Sequence, residues 1–209
     1  MFVKICGLST KEHVQVAVDA GADAVGLVFA NSVRRIDPAH AAAITKSVPV
    51  TVKKVAVMLH PSNEEWRKVL RDFTPDVLQT DAGDFASLEI PDGIECWPVY
   101  REGNTVTGTE RGGTERGGTE RKVTVTYLFE GARSGSGETV EWPAAANVAR
   151  QGNMILAGGL GVQNVAEAIA TVRPFGVDVS SGVETAPGEK DAGLIRHFIS
   201  AAKAAENNL

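Results

Sequence analysis

An α/β fold, a single-domain (β/α)8 TIM barrel over residues 1–209, is the architecture this sequence predicts. Eight short β-branched runs alternate with stretches patterned for helices. The 209 residues lie at the lower end of the barrel range, and 43% hydrophobic residues are enough for one sizeable core without disulfide support. Glycine-rich turns follow the last two runs, where barrels commonly bind phosphate. A doubly wound open sheet is the alternative, because periodicity does not report closure.

The first run, Phe2–Cys6, precedes Ser9-Thr10-Lys11-Glu12, where Ser9 is placed to cap a helix and Glu12 to complete a capping box. Val14, Ala17 and Val18 then share one helical face, and Gly21 ends the helix. Ala24–Phe29 is the second run, after which Asp37 caps and Pro38 opens a helix reaching about Ser47. Val52–Met58 is followed by a helix opening at Ser62-Asn63-Glu64-Glu65, and the fourth and fifth runs are Asp76–Gln79 and Gly93–Val99. Val123–Phe129 leads to a helix over about Val140–Arg150, and Met154–Ala157 to one near Val162–Val172. Gly176–Val179, the last run, precedes a helix over roughly Asp191–Ala205.

One segment breaks this rhythm. Thr109-Glu110-Arg111-Gly112-Gly113 recurs as Thr114-Glu115-Arg116-Gly117-Gly118 and begins again at Thr119-Glu120-Arg121. With no apolar residue to bury, the repeat cannot offset the entropy of being ordered. It predicts a flexible, low-complexity insertion at about residues 103–122. Each arginine follows a glutamate, which argues against a basic binding tail.

Lys plus Arg is 21 and Asp plus Glu is 26, a formal charge of −5, which argues against non-specific nucleic-acid or anionic-membrane partners. Cys6 and Cys96 form neither a close pair nor a metal-ligand spacing, so a disulfide scaffold, a structural zinc site and any other metal site are not expected. The N-terminus lacks a basic region followed by an apolar signal core, and no window is apolar enough to span a membrane. The expected location is the cytoplasm, with reduced thiols.

A barrel gathers the C-terminal ends of its strands at one mouth. Cys6 ends the first run, Arg34 follows the second, Glu130 closes the sixth, Gly158 and Gly159 follow the seventh, and Asp178 precedes Ser180-Ser181-Gly182 at the eighth. Gly158 and Gly159 allow close backbone approach to an anion, and Ser181-Gly182 is placed to begin a short helix with free amides. Together these turns predict a phosphorylated small-molecule ligand. Cys6 and Glu130 could serve as a base and acid on either side of it. Taken singly, Cys6 reads as a small core residue and Glu130 as a solvated charge. Their joint placement is what points to chemistry.

Lys4-Ile5-Cys6-Gly7-Leu8, Gly21-Ala22-Asp23-Ala24-Val25-Gly26, Ser32-Val33-Arg34, Leu156-Ala157-Gly158-Gly159-Leu160 with Asn164-Val165, and Val177-Asp178-Val179-Ser180-Ser181-Gly182-Val183-Glu184 with Pro187-Gly188 and Lys190-Asp191 resemble phosphoribosylanthranilate isomerase. The blocks occur in that family's order and at nearly its spacing. The resemblance implies a cofactor-free Amadori rearrangement in tryptophan biosynthesis. It makes Cys6 the general base, Arg34 the ligand of the anthranilate carboxylate and Asp178 a pocket carboxylate. Gly158, Gly159, Ser180, Ser181 and Gly182 become the phosphate turns. Monomer and homodimer both stay open.

Two positions depart from the family pattern. Its usual Asp general acid is Glu130 here, in Leu128-Phe129-Glu130-Gly131 followed by Gly135-Ser136-Gly137. Its usual Gln-Leu-His-Gly after the fourth strand reads Gln79-Thr80-Asp81-Ala82, with no catalytic role assigned to Asp81. These departures motivate a second reading, a catalytically impaired barrel that binds a ribose phosphate. A third is the related isomerase of histidine biosynthesis, which resembles two fused half-barrels with two phosphate sites and an aspartate on strand one. One glycine-rich region and Cys6 stand here instead. His13, His40 and His197 read as helix-surface or structural histidines, His60 as a residue able to line the mouth, and Cys96 as core.

Overall fold

The computed structural model describes residues 1–103, 125–131 and 140–206. Its sheet is a closed parallel barrel running β1 (Phe2–Cys6), β2 (Ala24–Val28), β3 (Lys53–Val57), β4 (Val77–Asp81), β5 (Glu95–Arg101), β6 (Thr126–Glu130), β7 (Asn153–Leu156) and β8 (Gly176–Val179). β8 pairs back onto β1, with Val3 opposite Val177 and Lys4 opposite Asp178, which rules out the open sheet. Side-chain alternation divides the core into two layers. Ala24, Val55, Val77, Trp97, Val99, Leu128, Ile155 and Ala157 fill the barrel interior. Val3, Ile5, Val25 and Leu27 face outward beneath the helices. Burial on both faces explains why β2 reads as an unbroken apolar run.

The surrounding helices are α1 (Lys11–Asp19), α2 (Pro38–Ile44), α3 (Asn63–Asp72), α4 (Trp142–Val148), α5 (Val165–Val172) and α6 (Ala192–Glu206). The capping box at Ser62 and Glu65 forms as expected. At α1 the expectation fails: Thr10, not Ser9, is the cap, and its hydroxyl accepts from the His13 amide at 3.2 Å. Glu12 thereby falls one position too early to reach back to the cap. Asp37 caps α2 by accepting from the Ala39 amide at 2.9 Å, but the helix stops at Ile44, where the Thr45 hydroxyl bonds the Ala41 carbonyl.

Only a 3-10 turn, Ala82–Ala86, lies between β4 and β5 among the described residues. β5 runs two residues further than Gly93–Val99 predicts, and this carries Arg101 to the barrel mouth. Cys96 is exposed rather than core: its neighbour Trp97 points into the barrel, so Cys96 points out, on a strand reached through that short turn instead of a helix. The Thr-Glu-Arg-Gly-Gly repeat and nearly all of the expected insertion at 103–122 lie outside the described residues, as do Val123 and Gly135-Ser136-Gly137. After β8 the chain folds into a small antiparallel hairpin, β9 (Glu184–Ala186) and β10 (Glu189–Lys190), before Asp191 caps α6 through the Leu194 amide at 2.7 Å.

Candidate active site

Alternation along β1 points Lys4 and Cys6 to the same inner face. Lys4 is fully buried and donates to Asp178 Oδ1 at 2.7 Å across the β1–β8 seam. A buried ammonium without such a partner would be destabilising by several kcal/mol, as a rough guide, so Asp178 is what allows Lys4 to sit there. Cys6 is also buried. Its burial and the Asp178 charge push the thiol up from its ordinary value, against the downward pull of Lys4 and Lys190. Gly26 stands opposite Cys6 in register, and a Cβ there would lie 2.9 Å from the sulfur. The missing side chain leaves the thiol its room.

The two glycine-rich turns meet at the ends of β7 and β8. Gly158 and Gly159 have φ of 89° and 62°, the left-handed region that favours glycine. Asn164 holds the first turn, donating to the Gly159 carbonyl at 2.9 Å and accepting from the Gly161 amide at 2.8 Å. Gly161 and Gly182 then form a parallel bridge. No helix begins at Ser181-Gly182, contrary to expectation. The amides of Val183 and Glu184 turn back onto the Ser180 and Ser181 carbonyls, and the chain enters β9. A Cβ on Gly182 would sit 2.0 Å from the Leu160 carbonyl oxygen. Gly182→Ala is therefore expected to destabilise the protein by at least about 2 kcal/mol through overpacking, read as a lower urea midpoint. An unchanged midpoint would show that the two turns are not packed this way.

Arg34, Glu184 and Lys190 form a second charged group beside the phosphate turns. Arg34 lies across Gly7, where a Cβ would come within 2.7 Å of Arg34 Cδ and 3.2 Å of Ser180 Oγ. Its Nε and Nη2 each donate at 2.7 Å to the two oxygens of Glu184. This fork matches a carboxylate, the group the resemblance assigns to Arg34. Buried Lys190 donates to Glu184 at 2.5 Å and to the Ser180 carbonyl at 2.9 Å. Burial opposes charge on Glu184, yet the bonds from Arg34 and Lys190 prevail and hold its pKa down at about 2. A depressed carboxylate adds stability above its unfolded pKa and loses it as pH falls. Stability should accordingly drop between about pH 4.5 and pH 2, with a smaller drop in Glu184→Gln, when urea unfolding is measured across that window.

Glu130 lies elsewhere around the mouth, separated from β1 in the ring by β7 and β8. It is paired in register with Arg101, whose Nη2 is 3.1 Å from Glu130 Oε1 and whose Nη1 donates to Asp81 Oδ2 at 2.6 Å. His60, in a left-handed conformation after β3, lies 3.6 Å from Asp81 and bonds Asp84 at 2.9 Å. The Asp84 bond raises the His60 pKa despite some desolvation. The two departures from the family pattern, Glu130 and Asp81, thus share one guanidinium. Residue type and spacing alone give Lys4, Arg101 and Lys190 no role in the site. The inward alternation of β1 was the available signal for Lys4, and a longer fifth strand would have been the signal for Arg101. Among the described residues, no group of three or more His, Cys, Asp or Glu is arranged to hold a metal ion. No helix among them is long and apolar enough to cross a membrane.

The sequence profile of the N-(5'phosphoribosyl)anthranilate (PRA) isomerase family matches residues 3–201. An N-(5'-phosphoribosyl)anthranilate isomerase of Roseiflexus sp. is 39% identical, covering 97% of this chain and 98% of its own. The Listeria welshimeri enzyme of that name is 36% identical over 99% of this chain and all of its own. A crystal structure of phosphoribosyl anthranilate isomerase in complex with reduced 1-(o-carboxyphenylamino)-1-deoxyribulose 5-phosphate superposes with a TM-score of 0.75 at 30% identity, covering 98% of this chain and 99% of that one. A profile match over nearly the whole chain, two full-length relatives and the same closed barrel agree, and the chain belongs to the phosphoribosylanthranilate isomerase family.

Proposed function

We propose that the chain isomerises N-(5'-phosphoribosyl)anthranilate to 1-(2-carboxyphenylamino)-1-deoxyribulose 5-phosphate, with Cys6 as general base and Glu130 as general acid. The observation that carries these roles is the gathering of Cys6, Glu130, Arg34 and both glycine-rich turns at the C-terminal ends of the barrel strands. Gly158, Gly159, Ser180, Ser181 and Gly182 hold the phosphate, and this fixes the sugar between the acid and the base. Arg34 receives the anthranilate carboxylate with the fork that Glu184 otherwise fills.

Glu130 protonates the furanose ring oxygen, the bond from that oxygen to C1 breaks, and the nitrogen lone pair closes a Schiff base. The Cys6 thiolate then removes the C2 proton, and the electron pair moves to nitrogen to give an enolamine. Tautomerisation to the aminoketone completes the rearrangement. Lys4 is the cation nearest this thiolate in the barrel wall, and Asp178 keeps Lys4 in place. Such a reaction acts in the cytoplasm, where Cys6 stays reduced. Complementation tests the activity: the gene is expected to restore growth without tryptophan to a bacterial strain lacking this isomerase. No growth despite soluble expression would overturn the assignment.

A further inference from the structure

Resting on the reading of Glu130 as the acid, we propose that Arg101, anchored by Asp81, is a positioning residue that aims the Glu130 carboxyl at the substrate's ring oxygen. Asp81, Arg101 and Glu130 are the last residues of β4, β5 and β6, three neighbouring strands of the barrel wall. Alternation through Trp97 and Val99, both in the barrel interior, sends Arg101 inward. The side chains of all three keep only 16–17% of their exposure. A flexible glutamate would otherwise sample several rotamers at this rim. One guanidinium arm against its Oε1 selects among them.

The same arrangement addresses charge. An arginine serving Glu130 alone would favour its ionised form and work against proton donation. Arg101 instead makes its shorter contact, 2.6 Å, with Asp81, and 3.1 Å with Glu130. With both carboxyls ionised the trio carries one negative charge, and with one proton on Glu130 it is neutral. Asp81 thereby lets Arg101 orient the acid without demanding its ionisation. His60, bonded to Asp84, also lies 3.6 Å from Asp81 Oδ2, the oxygen that Arg101 bonds.

The test is a double-mutant cycle on isomerase turnover, with Arg101→Met, Arg101→Lys and Asp81→Asn made in the parent and in Glu130→Gln. Misplacing a reacting group by about 1 Å can lose on the order of a hundredfold in rate. Arg101→Met is expected to lower kcat by about 10- to 100-fold with KM within about twofold, and Arg101→Lys to recover part of that loss. Asp81→Asn should lower kcat by about tenfold. In the Glu130→Gln background all three should have no further effect. A rise in KM at unchanged kcat would make Arg101 a substrate ligand and overturn the inference, as would equal losses in both backgrounds. Glu130→Gln with full activity would overturn the acid assignment itself, separately from the Arg101 result.

Discussion

Cys6→Ala is expected to lower kcat by about a thousandfold or more, while the affinity for a phosphorylated product analogue stays within about twofold. Alanine removes only the sulfur from a buried position, leaving the Lys4–Asp178 pair and the glycine turns as they are. Carbon acids such as the C2 position of the Schiff base need a positioned base, and general base catalysis contributes about 10²–10⁴-fold. Cys6→Ser should be almost as slow, since a hydroxyl ionises far less readily than a thiol. The raised thiol also sets a pH dependence: the thiolate fraction of Cys6 should grow only as pH rises well above neutrality, read as an ultraviolet thiolate absorbance that Cys6→Ala lacks. Steady-state kinetics of the two variants, with analogue titration, measure both effects. A Cys6→Ala enzyme with near-parental kcat would remove Cys6 from the chemistry.

Glu130→Gln should reduce kcat by about 10²–10⁴-fold, because an amide keeps the shape of the side chain and has no proton to give the ring oxygen. The amide fills the same space and Arg101 keeps its bond to Asp81, so the fold should be unaffected. Glu130→Asp is the more informative partner. It preserves the acid but shortens the arm by one methylene, taking the carboxyl away from Arg101. A loss of about 10- to 100-fold is expected from that displacement. Equal rates for the parent and the Glu130→Asp variant would show that the reach set by Arg101 is unimportant. Kinetics against substrate generated in place from anthranilate would measure it.

The barrel was legible because its strands are buried on both faces and its helices carry local start and stop signals. Ser62 with Glu65, Asp37 with Pro38, and Gly21 each do locally what their residue types suggest. The cap of α1 lies one residue beyond the Ser9 that the pattern suggests, because Ser9 and Thr10 are both competent caps and only the backbone path selects Thr10. Closure was not legible, since pairing Val3 with Val177 joins strands from opposite ends of the chain. Cys96 reads as core yet is exposed, because local pattern does not report what covers the outer face of a strand.

At the site, Cys6, Arg34, Glu130 and Asp178 could be named because strand ends converge in a barrel and because flanking blocks resemble a family. Their supporting charges were harder to see. Lys4 inside an apolar run has meaning only once Asp178 is brought opposite it by β1–β8 pairing. Arg101 acquires its role from two strands on either side, one of them beyond the repeat. Glu184 and Lys190 belong to a hairpin that replaces the short helix expected after β8.

The most direct test of the whole account is the decay of phosphoribosylanthranilate fluorescence, with the substrate formed in place from anthranilate and a phosphoribosyl donor. With the purified protein, decay is predicted to outpace spontaneous breakdown in proportion to enzyme concentration and to yield the carboxyphenylamino-deoxyribulose phosphate. Decay no faster than in buffer, from a folded protein, would contradict the isomerase reading and leave the barrel mouth as a binding site for another ribose phosphate.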